Sequence, residues 1–358
     1  MTARPGAGPT RPARRGDDPS SRWAQDVLGP DFEARSLPLE ADEEGPVTAT
    51  LVRLTRTHRL PRRWRTAIPW RSDHLPLGGA DVLYVHGWSD YFFQREMAEH
   101  LEALGARFFA LDLRKYGRSL LPHQTPGYVD DLAVYDEDIA AALDTIGHGD
   151  PEHGRRRLIL FGHSTGGLTL ALWNSRHRGV AAGLVLNSPW LEFQATGFAR
   201  ELIAPLMKLG ARRNPLAPLP TVDPGFYTRT VSSGSDGSWT YNQAWRPERG
   251  FPLHPGWLAA VFAGQDQVAH GLGAETPTLV LLSTHSLLSP KWSEEMTHVD
   301  VALNVDAVAH RALSLGDDVS IARIHGALHD VMLSEPRVRE TAYTAIRRWA
   351  RTLPLPGA

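Results

Sequence analysis

The stretch 156–167 restricts what this chain can fold into more than any other. Leu158-Ile159-Leu160-Phe161 reads as a buried strand, and Gly162-His163-Ser164-Thr165-Gly166-Gly167 follows it at once. Leu168-Thr169-Leu170-Ala171-Leu172-Trp173 then reads as a helix. A strand that gives way to a helix within so few residues needs a tight turn, with its central residue in a strained backbone conformation. Glycines flank that residue because strand and helix approach too closely there for side chains. The residue displayed is Ser164. Gly-x-Ser-x-Gly alone is a weak signal; the strand before it and the helix after it give it weight.

The rest of the chain repeats the same rhythm. Val47 to Leu54 alternates like an antiparallel strand, and 56–70 is expected to hold a second strand and a loop. Asp81-Val82-Leu83-Tyr84-Val85 is a short apolar run ending in His86-Gly87-Trp88. Helical spacing over 92–104 (Phe93, Met97, Leu101, Leu104) leads to a strand at 106–112 and a turn at 114–119. A helix is predicted over 128–146 and a strand over 180–186. Further strands are expected at 278–282 and 319–324, and an amphipathic helix over 337–353 closes the chain. Strands alternating with helices predict a mostly parallel central sheet with helices on both faces, and strands covered on both faces read as continuous apolar runs.

Between 191 and 264 the alternation breaks. This stretch carries many prolines, the polar run Ser232-Ser233-Gly234-Ser235-Asp236-Gly237-Ser238, and Trp239, Trp245 and Trp257. Its aromatic content disfavours disorder and predicts a second small domain or a lid. The core is then expected in two parts, 23–190 and 265–358. Residues 1–22 are rich in Pro, Gly and Arg and read as a disordered tail; Arg14-Arg15 is followed by Gly-Asp-Asp-Pro where a twin-arginine signal needs apolar residues. A cytoplasmic protein is the expectation.

Composition removes several chemistries. There is no cysteine, which excludes disulfides, thiolate metal sites and a thiol nucleophile. A net charge of −2 supplies no basic footprint for nucleic acid. No run of apolar residues is long enough for a membrane span. The 16 histidines show no His-Glu-x-x-His or comparable helical pair, so no metal or other cofactor is expected.

A serine hydroxyl is a poor nucleophile near neutral pH and needs a base, itself held by an acid. His329, in Ile324-His325-Gly326-Ala327-Leu328-His329-Asp330, follows the last strand behind a glycine turn and can reach the edge of the sheet. His325 lies nearer the strand and reads as a packing or capping residue, so His329 is preferred over it, and Asp330 is too close in sequence to hold His329. The acid is open between Asp300, which precedes an apolar segment, and Asp306 as runner-up; a carboxylate in such a place also suits a helix cap. Oxyanion donors are expected from the backbone N–H of Thr165, at the start of the helix, and of Trp88.

Taken together, His86-Gly87-Trp88, Asp112-x-Arg114-x-x-Gly117-x-Ser119, Gly162-His163-Ser164-Thr165-Gly166 and Gly326-x-x-His329-Asp330 resemble the α/β-hydrolase superfamily. The likeness runs over about 47–353 and leans toward the monoacylglycerol lipase, lysophospholipase and serine-aminopeptidase branch. It implies a nucleophile at Ser164, a base at His329 and oxyanion donors at Trp88 and Thr165, with Asp112, Arg114 and Ser119 bracing the loops. It implies a serine hydrolase that opens carboxylic esters through an acyl-enzyme. Amide or lactone hydrolysis, acyl transfer and an inactive binding protein are the alternatives. Two departures stand out. Sixteen residues, 283–298, separate the strand at 278–282 from Val299-Asp300-Val301, and Lys115 replaces a frequent glycine. Trp239, Trp245 and Trp257 are expected to line an apolar acyl pocket or to pin the inserted segment to the core. The expected partner is a small ester with an apolar acyl group; nothing in the sequence sets an oligomeric state.

Overall fold

The structure, a computed structural model, describes residues 22–55, 75–150, 156–193, 197–219 and 224–353. Nine strands form one sheet: β1 (Ala24–Asp26), β2 (Gly29–Asp42), β3 (Gly45–Leu54), β4 (Ala80–Val85), β5 (Arg107–Asp112), β6 (Arg157–His163), β7 (Ala181–Asn187), β8 (Thr278–Ser283) and β9 (Val319–Ile324). Their spatial order is β1-β2-β3-β5-β4-β6-β7-β8-β9. The first three pair antiparallel, β3 joins β5 antiparallel, and every pairing from β5 through β9 is parallel. Crossover helices dictate that parallel half.

The two faces are covered by different helices. Alternate residues of β4 divide between them: Leu83 and Val85 face one cluster, Val82 and Tyr84 the other. The first cluster takes α2 (Tyr135–Ile146), α3 (Thr165–Arg176), α6 (Pro255–His270) and α7 (Val305–Ala312). The second takes α1 (Arg95–Ala103) and α8 (Pro336–Ala350), through Met97 and Leu101 on one and Ile346 and Trp349 on the other. Each fully buried aliphatic or aromatic side chain contributes roughly 1.5–3 kcal/mol, which is why the central strands carry almost no polar residues.

Several boundaries differ from the sequence reading. The long strand β2 was not anticipated: Pro30, Pro38 and its charged residues obscure the strand pattern, and both prolines are tolerated toward the edge of the sheet. Helix α1 begins at Arg95, because Phe92 is drawn into the core and its N–H is held by Asp112 Oδ1 at 2.9 Å. A 3-10 turn, Leu132–Val134, precedes α2, so that helix is shorter than expected. The strand and loop expected at 56–70 lie outside the described residues, as does all of the expected tail except Arg22.

Within 191–264 the chain forms α4 (Gly197–Arg213) and α5 (Phe226–Val231). Helix α6 crosses the expected end of the insertion at 264, and its Trp257, Val261, Phe262 and Val268 are buried in the main core. Among the described residues no helix is long and apolar enough to cross a membrane.

Candidate active site

The backbone at Ser164 has φ 51 and ψ −116, the left-handed strain anticipated for a side chain lifted off the end of β6. The flanking glycines are required by contact. A Cβ on Gly166 would lie 2.2 Å from the His86 carbonyl oxygen, and one on Gly162 would lie 2.7 Å from Gly167. The turn is pinned on both sides: Ser164 N–H donates to the Asn187 carbonyl at 3.0 Å, and Trp190 N–H donates to the Ser164 carbonyl at 3.0 Å.

His329 arrives from the loop beyond β9, in which Gly326 has φ 75. Its Nε2 lies 3.1 Å from Ser164 Oγ and its Nδ1 lies 3.0 Å from Asp300 Oδ2. Asp300 is completely buried. Its other oxygen, Oδ1, accepts the Ala302 and Leu303 N–H groups at 2.8 Å each, which aims Oδ2 at the imidazole. The long excursion after β8 returns to the strand tip. Ser286 and Asp300 form a bridge, with Asp300 N–H donating to the His285 carbonyl and Leu287 N–H to the Asp300 carbonyl. A carboxylate distant in sequence therefore stands just past β8. The cap of α7 is Asn304, whose Oδ1 accepts from Asp306 and Ala307. Asp306 points to solvent and pairs with Arg323 at 2.8 Å, away from His329. His325 is exposed at the end of β9.

The His86-Gly87-Trp88 loop closes over the nucleophile. Gly87 packs so near that a Cβ there would sit 3.1 Å from the Ser164 Cβ. Leu113 N–H donates to His86 Nε2 at 3.1 Å, so the proton sits on Nδ1, which donates to the Gly87 carbonyl at 2.8 Å. Burial outweighs the nearby Asp112 and Asp90 carboxylates and holds His86 below the usual histidine range, in keeping with a neutral ring. The Gly87 carbonyl and the Trp88 N–H belong to one planar peptide and point opposite ways. Fixing the carbonyl on His86 fixes the direction of that N–H. The Thr165 N–H opens α3 and is one of the donors a helix start leaves without an intrahelical partner.

The turn after β5 braces this loop. Asp112 accepts from Phe92 N–H and from Arg118 Nη1 at 2.7 Å, Arg114 pairs with Asp138 at 2.7 Å, and Ser119 Oγ donates to the Asp112 carbonyl at 2.8 Å. Lys115 has φ 64, a conformation that favours glycine, and its ammonium pairs with Asp42 and Glu44 at 2.6 Å each.

Ser164 and His329 open onto a cavity of about 440 Å³. Trp88, Trp190, Phe226, Tyr227, Phe251 and Trp257 supply most of its aromatic wall. Trp257 is thus placed at the cavity; Trp239 and Trp245 are not. They join Tyr91 and Phe93 in a separate cluster, where Trp239 Nε1–H donates to the Leu333 carbonyl at 2.8 Å and Trp245 meets Tyr91 edge-on. They pin the inserted segment to the core. Trp190, Phe251 and the residues beside Asp300 were not singled out from sequence, because only the folded loops bring them to Ser164.

A serine, an imidazole and a carboxylate in one hydrogen-bonded row, at the C-terminal edge of a parallel sheet, can support nucleophilic attack on a carbonyl. Known proteins share this architecture. The solved monoacylglycerol lipase of Paleococcus ferrophilus is 20% identical, with 76% of this chain and 94% of that one covered, at a TM-score of 0.55. A soluble variant of monoglyceride lipase from Saccharomyces cerevisiae is 14% identical over 88% of this chain and 95% of its own, at 0.58. A thermophilic esterase from Thermogutta terrifontis is 18% identical over 88% and 98%, at 0.52. No curated protein sequence matches the chain. Residues 79–337 match the family described as serine aminopeptidase, S33. With that match over most of its length, and the fold to go with it, the chain is an α/β-hydrolase and belongs to the serine aminopeptidase S33 family.

Proposed function

We propose that this enzyme hydrolyses carboxylic esters with an apolar acyl group, using Ser164 as nucleophile, His329 as base and Asp300 as the acid that orients it. The observation that carries the reading is the unbroken row from Ser164 Oγ through His329 to Asp300 Oδ2, with contacts of 3.1 and 3.0 Å, at the wall of an aromatic cavity. Ser164 Oγ attacks the ester carbonyl carbon as its proton passes to His329 Nε2. The carbonyl oxygen becomes an oxyanion facing the Trp88 and Thr165 N–H groups. Collapse expels the alcohol, which takes the proton from His329 and leaves an acyl-Ser164. A water molecule, deprotonated by His329, then attacks that acyl carbon and releases the carboxylic acid and the serine.

The cavity favours an ester over the free N-terminus of a peptide. An α-ammonium group needs a carboxylate to receive it, and no acidic side chain lines the cavity among the described residues. The inserted segment supplies Phe226, Tyr227 and Phe251 to that wall and serves as a lid over the acyl chain. A fluorophosphonate probe and a panel of esters from acetate to long-chain acyl, with a monoglyceride and an aminoacyl anilide, test the reading. The expected result is labelling of Ser164, turnover of the apolar esters but not the anilide, and loss of both labelling and turnover in Ser164→Ala. A folded protein that resists the probe overturns it.

A further inference from the structure

Beneath the Ser164–His329 pair lies a set of buried charges that the reaction above does not use. His163, the residue before the nucleophile, is 1% exposed, Asp330 0%, Asp90 2% and Arg246 3%. His163 Nδ1 lies 3.6 Å from Asp90 Oδ2 and 4.0 Å from Asp330 Oδ2, and Arg246 Nε lies 3.2 Å from Asp90 Oδ1. Neither ring nitrogen of His163 has a hydrogen-bond partner among the described residues. The cluster draws on four parts of the chain: the loop after β4, the end of β6, the inserted segment and the loop carrying His329.

We propose that His163 is held as an imidazolium between Asp90 and Asp330, completing with Arg246 a neutral buried quartet that positions the catalytic histidine and the oxyanion loop. The charge count supports it. Two carboxylates and one guanidinium leave one uncompensated negative charge in a site closed to water, and the imidazolium removes it. The groups facing His163 agree. From the loop after β4 come His86 and Asp90, from the His329 loop His329 and Asp330, and from the inserted segment Arg246; Tyr84 and Tyr227 lie near the two carboxylates. Burial keeps both tyrosines protonated, and His86 is neutral for the reason given above. Burial pushes His163 down, but Asp330 and Asp90 outweigh it and leave the ring above the ordinary histidine value.

The cluster reaches the reacting groups through contacts. The His163 and His329 rings lie 5.0 Å apart, and a Cβ on Gly87 would sit 3.0 Å from His163 Nδ1. Asp330, next to His329 in sequence, accepts from Asn187 Nδ2 at 2.6 Å and from Gln94 Nε2 at 2.9 Å. The backbone carbonyl of that same Asn187 holds the Ser164 N–H. Arg246 is stacked between Tyr227 and Tyr241, and Tyr227 sets its edge against the His329 ring. His163 is therefore a positioning residue, and loss of its proton loosens the base, the nucleophile turn and the lid together.

The inference rests on the proposed esterase reading, and the test separates the two. Steady-state kcat and KM on one apolar ester are measured from about pH 6 to 10 for the native enzyme, His163→Asn and Asp90→Asn, with thermal melts alongside. Because the folded value of His163 is raised, the imidazolium is present at lower pH and is lost as pH rises through that value. Native kcat is expected to fall on the alkaline side by about tenfold or more, before the fold melts and with KM within about twofold. His163→Asn should start near that reduced kcat and show no alkaline fall. The imidazole nitrogen resonance of His163, read by NMR in the histidine-labelled native protein, should be that of an imidazolium at neutral pH. A neutral resonance there, a native enzyme whose kcat stays level until it melts, or a His163→Asn variant with the native pH profile overturns the proposal. So does one tightly bound metal ion per chain whose removal abolishes activity, since a ligating histidine must be neutral. In each of these cases ester turnover by the native enzyme leaves the esterase reading standing; no turnover of any ester fails that reading alone, because the NMR measurement still decides the charge on His163.

Discussion

Asp300 shows how one carboxylate can be fixed by the backbone around it. Its Oδ1 is held by two N–H groups, so Asp300→Asn keeps its oxygen there and turns its amide toward His329. An N–H facing Nδ1 forces the proton to Nε2, the wrong tautomer for a base toward Ser164. We expect kcat to fall by about 10³–10⁴-fold while the melting temperature stays within a few degrees, read by ester turnover and calorimetry. Asp306→Asn, on the exposed pair with Arg323, should leave turnover near native. His86 acts one step further back. His86→Asn frees the Gly87 carbonyl and lets the Trp88 N–H turn away, so kcat should drop by about 10–100-fold with KM nearly unchanged. The turns that carry Ser164 and His329 were legible in the sequence because Gly162 and Gly166 flank the first and Gly326 opens the second. Which aspartate faces His329 is not legible, because no local pattern reveals that 283–298 loops out and returns to the tip of β8. The pairing of Ser286 with Asp300 settles where the chain comes back, and it is a tertiary contact.

The elements around the site were readable where they form short runs of apolar residues. The parallel strands β4 to β8 stood out as apolar runs, whereas β2, with one edge neighbour and many charges, did not. Yet β2 and β3 are tied to the active-site loops by Lys115, which reaches back to Asp42 and Glu44 from a left-handed backbone. Burial raises both carboxylates, but the bonds to Lys115, joined by the Glu44 N–H on Asp42 and by Thr125 on Glu44, together outweigh it and hold them below the usual carboxylate range. Their folded values are depressed, so the stability they contribute is present above the unfolded carboxylate value near 4 and is lost as pH falls through the folded ones. Lys115→Met removes that link and should cost about 1–2 kcal/mol near neutral pH, the two carboxylates being partly exposed and screened. Across acid pH the melting temperature of the variant should decline less steeply than that of the native chain, and the two curves should converge. Parallel curves would mean that Lys115 contributes through packing alone.

At the scale of the whole molecule, the inserted segment splits into two tasks that its tryptophans make visible. Trp239 and Trp245 fasten it to the core, while Phe226, Tyr227 and Phe251 face the cavity with Trp257 from α6. Sequence alone could not divide these residues, since an aromatic side chain that packs and one that lines a pocket look alike until their neighbours are known. The division predicts separable phenotypes. Each methylene that an acyl chain buries in the cavity contributes about 0.8 kcal/mol, so kcat/KM should rise about fourfold per carbon from acetate and level off once the cavity is full. Leu288 is on the cavity lining and 45% exposed, so added bulk there takes up space that an acyl chain would fill. Leu288→Trp should move the plateau to shorter chains with little change in melting. Trp239→Leu should do the reverse: lose the Leu333 hydrogen bond and the contact with Phe93, lower the melting temperature by several degrees, and leave the plateau in place. If Trp239→Leu shifts the chain-length plateau as far as Leu288→Trp does, fastening and lining are one function, and the wall of the cavity moves with the segment's attachment to the core.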